Sequence, residues 1–179
     1  MKASRPALLH TPPAAGFEQP FEMLTACHAR VQRMLALLMR LGAHLLQHGA
    51  DAQAAEAARS VMRYFDLAGP AHHEDEERHL LPWLATHGRA ALAARLHADH
   101  VRMADDWTLV RAALAQVAAG RWDGDGGAAT QARWRAFAQR YAQHIEVEET
   151  QAYPPAAAAF DAPTLEAMGR EMAARRGAA

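Results

Sequence analysis

The chain has 179 residues, 51% of them apolar, and its 19 Lys and Arg against 20 Asp and Glu leave a net charge of -1. That length suits one domain with a sizeable core. A balanced charge without a basic stripe excludes a nucleic-acid binder, and no apolar run is long enough to span a bilayer. Ala, Leu, Arg, Glu and Gln dominate while Val, Ile, Tyr and Phe are scarce, a composition that specifies an all-α fold. The one cysteine, Cys27, allows no internal disulfide. With no apolar signal segment near the start, a cytoplasmic protein is expected.

Residues 1–19 read as an N-terminal arm containing Pro and Ala. A first helix is predicted from Pro20 to Gln47, with Gly49 just past its end. Its apolar stripe is Leu24, Val31, Leu35, Leu38 and Leu45, and His28 falls in that stripe. A second helix runs from Asp51 to about Gly88, and Gly69-Pro70 predicts a kink or bulge in it. The third, from Ala90 to Ala119, carries Leu96, His100, Met103, Trp107, Val110, Leu114 and Val117 on one face. Asp123 to Gly127 is a loop by composition. The fourth runs from Ala128 to Tyr153 and should stop at Pro154-Pro155. A short fifth helix, Pro163 to Arg175, shows Leu165, Met168 and Met172 on one face and should pack outside the rest, with Arg175-Arg176 as a solvated tail. Short connections make this an up-down-up-down antiparallel four-helix bundle over residues 20–155, followed by a short C-terminal helix and tail over 156–179.

The second and fourth helices share an internal repeat. Met62, Phe65, Gly69, His72, Glu76, Glu77 and Pro82 match Trp134, Phe137, Tyr141, His144, Glu148, Glu149 and Pro154 at every offset. In each, His and Glu stand four residues apart and therefore on one face of the helix, where both can reach a metal. His72 and His144 also lie seven residues beyond Phe65 and Phe137, so they project along the hydrophobic stripe, and a polar group there is costly unless bonded. In an antiparallel bundle with a rise of about 1.5 Å per residue, His28, His72, His100 and His144 fall in one layer. The chain has eleven histidines in all. The candidate metal ligands are His28, His72, Glu76, His100, His144 and Glu148. Imidazole and carboxylate without thiolate suit iron, manganese or zinc, and two carboxylates able to bridge favour a pair of ions.

His73 and Glu77 are expected one step outside this set or at its rim, unless a bend at Pro70 turns the helix and exchanges them with His72 and Glu76. His97 is expected at the rim and Glu149 as a solvated carboxylate. His10, His44, His48, His79 and His87 read as surface residues, and Cys27 as a thiol packed at a helix interface. No nucleophile elbow or phosphate-binding loop is present.

The run His72-His73-Glu74-Asp75-Glu76-Glu77-Arg78-His79-Leu80-Leu81-Pro82 resembles the HHxxEExxLFP signature of hemerythrin-like (HHE cation-binding) domains. His144 to Glu149 with Pro154 is similar to their last helix, Asp99-His100 to their third, and Cys27-His28 to their first. The resemblance covers about residues 20–155. It implies a non-haem di-iron site bridged by the two glutamates and an oxygen atom, with a small diatomic ligand, oxygen or nitric oxide. The roles it implies are oxygen, nitric oxide or redox sensing, or the handling of iron. Where oxygen carriers of the family have His-x3-His in the third helix, this chain has Leu96 four residues before His100. Its site is more like that of the branch that repairs iron centres. Two other classes remain open on the sequence: a di-iron oxidase or peroxidase-like enzyme, and a metal-free helical interaction module.

Overall fold

The computed structural model describes residues 16–122 and 127–178. The expected arm up to residue 15, His10 within it, and the loop at 123–126 lie outside the described residues. The regular elements are α1 (Pro20–His48), α2 (Ala52–Asp75), α3 (Leu81–Thr86), α4 (Ala90–Ala118), α5 (Gly127–Val147), α6 (Tyr153–Ala159) and α7 (Ala162–Arg175). Glu76–Leu80 and Glu148–Ala152 form π-helical turns. There is no strand among the described residues. Each π turn joins its neighbours without a break, so α2 with α3, and α5 with α6, make continuous rods. With α1 and α4 these are the four rods of an all-α bundle, α1 beside α2, α2 beside α4, α4 beside α5, and α5 back against α1.

Local chemistry sets the helix ends. Pro20 occupies the first turn of α1, where its missing N–H is not needed. Gly49 ends that helix at φ 69°, a left-handed conformation suited to a residue without Cβ. The Asp51 side chain caps α2 by accepting from Ala54 N at 2.8 Å, and Asp161 caps α7 through Thr164 N at 3.0 Å.

The prolines act differently from expectation. Pro70 sits inside α2, which runs unbroken past it, and the widened turn comes later, at Glu76–Leu80. Pro154 and Pro155 do not end the fourth rod, because they fall in the first turn of α6. The cause is the same in both rods. Pro82 and Pro154 offer no N–H to the carbonyl four residues back, and their rings crowd it. The preceding turn opens instead, so that Leu81 N reaches Glu76 O and Tyr153 N reaches Glu148 O.

The interior divides into two apolar clusters. The upper packs Leu35, Leu38, Val61, Phe65, Leu114, Trp134 and Phe137. The other joins Leu24, Leu80, Leu84, Leu96 and Val147 to Met168 and Met172 of α7. Leu24, Leu80, Leu84, Leu96 and Met172 have no exposed surface; each contributes about 2 kcal/mol of hydrophobic stabilisation. α7 therefore completes a core. A Cβ on Gly169 would stand 1.9 Å from the Phe17 carbonyl oxygen, so only glycine permits that approach. Arg175 and Arg176, expected as a solvated tail, instead bind the fully buried Asp75 at 3.0 and 2.5 Å. A carboxylate with no access to water needs such partners.

Candidate metal centre

All six candidate ligands, four from the repeat together with His28 and His100, are buried and converge in the layer between the two apolar clusters. His28 is 1% exposed, His72 and His144 3%, His100 6%, and Glu76 and Glu148 not at all. α1 brings His28, α4 brings His100, and the two repeat rods bring the His–Glu pairs. His72 and Glu76 lie in this buried layer, while Glu77, one residue on, stays partly exposed. Because each glutamate opens a π turn, it stands at the mouth of a widened helix with its carboxylate aimed inward.

Two overlapping groups of donors result. His28, His72, Glu76 and Glu148 form one, and Glu76, His100, His144 and Glu148 the other, with the donor atoms of each within 4.8 Å of one another. Glu76 and Glu148 belong to both. The Nε2 atoms of His28 and His72 approach to 3.0 Å, and those of His100 and His144 to 3.1 Å. Each pair turns two imidazole nitrogens toward one point, and Glu148 lies 3.2 Å from His28 and 2.8 Å from His144. Glu76 Oε2 and both Glu148 oxygens are buried without a hydrogen-bond partner. Inward lone pairs lacking donors are what a cation would satisfy, and four imidazoles with two carboxylates suit iron, manganese or zinc.

The next residue in each repeat supports the neighbouring rod. Glu149 accepts from Nδ1 of His28 at 2.9 Å, and Glu77 from Nδ1 of His100 at 2.8 Å. A carboxylate on Nδ1 fixes the tautomer that leaves Nε2 free to bind a metal. Glu149, expected as a solvated carboxylate, is thus a supporting partner with 38% of its side chain exposed. His97 is at the rim, 60% exposed, and also bonds Glu77 at 2.9 Å. His73 is not at the rim: its ring stacks on His100, centroids 4.2 Å apart, and with His100 and His144 it forms a third possible donor group. Of the histidines expected on the surface, His79 is half-buried and paired with Glu171 of α7 at 2.8 Å.

One close neighbour escaped the sequence. Tyr153, where the fourth helix was expected to stop, is 5% exposed. Its hydroxyl donates to Glu76 and lies 3.2 Å from Nε2 of His28, over which its ring stacks. The signal available was Tyr153's place in the repeat, opposite the apolar Leu81.

The electrostatics divide the two central carboxyls. Burial and the neighbouring Glu148 charge raise Glu76 well above the usual carboxylate range. Burial also opposes ionisation of Glu148, but the close imidazoles of His100, His144 and His28 outweigh it and hold Glu148 low. Burial drives His72 and His73 well below the ordinary imidazole range. His28 is raised, its burial overcome by Glu148 and Glu149. Without a cation, then, the site pushes Glu76 toward its neutral acid and Glu148 toward its carboxylate.

The family model for the hemerythrin HHE cation binding domain matches residues 19–156. The chain belongs to that family. It is also 29% identical over 165 residues to an uncharacterised protein of Haemophilus influenzae, the alignment covering 90% of this chain and 92% of that one. No helix of the described residues is long and apolar enough to cross a membrane.

Proposed function

We propose that this chain holds two iron ions through His28, His72, Glu76, His100, His144 and Glu148, and uses them to sense or handle a small diatomic molecule, oxygen or nitric oxide. The observation that carries the reading is the pair of donor groups sharing Glu76 and Glu148, one group for each ion and two carboxylates to bridge them. Iron would supply a change of oxidation state and a coordination position left open by the protein. The protein contributes the imidazoles, the Glu77 and Glu149 props, and a dry surround. A cavity of about 150 Å³ between α2, α4 and α5 reaches His73, whose ring lies on His100, and is large enough to admit a diatomic molecule. We place the role in the cytoplasm, where a thiol such as Cys27 stays free.

The test is metal analysis and spectroscopy of the full chain. Iron-loaded protein is expected to carry two irons per chain, and His72→Ala or His144→Ala to carry fewer. The reduced protein should change its near-ultraviolet and visible spectrum on exposure to oxygen or nitric oxide. Less than half an iron after loading sinks the centre, whereas two irons with an unchanged spectrum leave a structural or storage role.

A further inference from the structure

We infer that Tyr153 is itself a metal ligand, coordinating through its phenol oxygen on the His28 side of the centre. The inference rests on the iron reading above and adds a donor to it. Donors that share one first-row metal ion at about 2.1 Å sit roughly 3 Å apart when adjacent. The His28–His72 nitrogens are 3.0 Å apart and His28–Glu148 3.2 Å. The Tyr153 oxygen meets His28 Nε2 at the same 3.2 Å and also touches Glu76. A buried phenol held only for packing would turn its hydroxyl to a lone acceptor. This one enters the space where four other donors already converge.

The repeat shows that the feature is specific to one side. Leu81 stands where Tyr153 does, and it lies among apolar residues of the lower core. The second side has His73 instead, where the other repeat has Ile145, itself part of the upper apolar cluster. The π turn at Glu148–Ala152 matters here, because the widened turn directly precedes Tyr153 and shifts its register relative to a regular α-helix. The two halves of the centre are therefore chemically unlike: an oxygen-rich side with a phenol, and a nitrogen-rich side.

On coordination the O–H bond breaks, the oxygen binds the cation and the proton leaves to solvent. Phenolate bound to ferric iron gives a visible charge-transfer band, and excitation in it enhances the ring vibrations of that tyrosinate. The experiment loads the full chain with ferrous iron under nitrogen and then admits air, dioxygen being the oxidant that takes the electrons. Resonance Raman spectra and iron content are read for the natural sequence, Tyr153→Phe, Tyr141→Phe and Tyr64→Phe. The expected result is tyrosinate vibrations in the natural sequence that survive Tyr141→Phe and Tyr64→Phe and vanish completely in Tyr153→Phe. If Tyr153→Phe also loses iron, survival in the other two variants still assigns the band, since these are the chain's three tyrosines. Iron-bound protein with no tyrosinate vibrations, or vibrations that persist in Tyr153→Phe, overturns the inference and leaves the iron centre standing. Protein that takes up no iron brings down both.

Discussion

At the scale of single residues, adjacent glutamates do different work. Glu76 and Glu148 point inward, while Glu77 and Glu149, about 100° further round the helix, hold Nδ1 of the imidazoles donated by α4 and α1. The Glu77 prop is itself ionised across the neutral range. Burial opposes this, but bonds from His100 and His97 together outweigh it and hold its carboxyl below the usual value. Removing a prop loosens a ligand without deleting it. Glu149→Ala should therefore lower metal affinity by about 10–100-fold and leave the fold intact, read by competition with a chelator. Glu76→Ala should remove a bridging donor, lowering the metal bound at saturation rather than the affinity alone. Equal effects of the two substitutions would contradict this division of labour. The inward pairs were legible because the His–Glu spacing repeats on two apolar faces. The props were not, because a carboxylate next to the stripe reads as solvated until the partner helix supplies His28.

At the scale of elements, the π turns and α7 account for most of what the sequence misplaced. Pro154-Pro155 was read as a stop and Gly69-Pro70 as a kink, yet α2 runs past Pro70, and Pro82 and Pro154 each follow a widened turn that lets the helix proceed. The rule that a proline disturbs the preceding turn holds; the outcome, bulge or termination, depends on whether packing rewards continuation. Here it does, since α6 delivers Tyr153 to the centre and Ala156 to the lower core. For α7 the apolar stripe of Met168 and Met172 was readable, whereas the buried acceptor for its arginines lies a hundred residues earlier in the chain. That ion pair ties α7 to the end of α2. Replacing both Arg175 and Arg176 by Ala would leave Asp75 buried and unpaired, beside the candidate ligand Glu76. We expect a loss of about 3 kcal/mol, as for other buried charges stripped of partners, measured by denaturant unfolding. Hydrogen exchange should rise first over Ala162–Arg175. Uniform exchange across the bundle, or no loss of stability, would show that apolar contacts alone hold α7.

At the scale of the whole molecule, the buried centre couples metal, proton and fold. Four imidazoles and two carboxylates between two apolar clusters are unfavourable when empty, and the strain concentrates on Glu76, whose carboxyl burial and Glu148 push up. A carboxyl raised in the folded state stabilises the fold below its unfolded value, about 4.3, and that contribution is lost as pH rises through the folded value. The metal-free protein should thus become less stable with rising pH on account of Glu76, until the group is fully ionised. Glu148 has the opposite sign: its lowered carboxyl contributes above the unfolded value, and this is lost only as pH falls through the folded one. Metal reverses the burden on Glu76, since coordination requires both carboxylates ionised and the Nε2 atoms unprotonated. Loading should therefore release protons, its apparent affinity should fall as pH falls, and the downward slope of stability with pH due to Glu76 should disappear. Metal at about a hundred times its Kd adds about 2.7 kcal/mol to the folded state, which for a chain of this length raises Tm by roughly 5–10 °C. Calorimetry with and without metal across the pH range, in two buffers of different ionisation enthalpy, measures both effects. Equal Tm values with and without bound metal, or uptake without proton release, would mean that the six side chains are not the ligands.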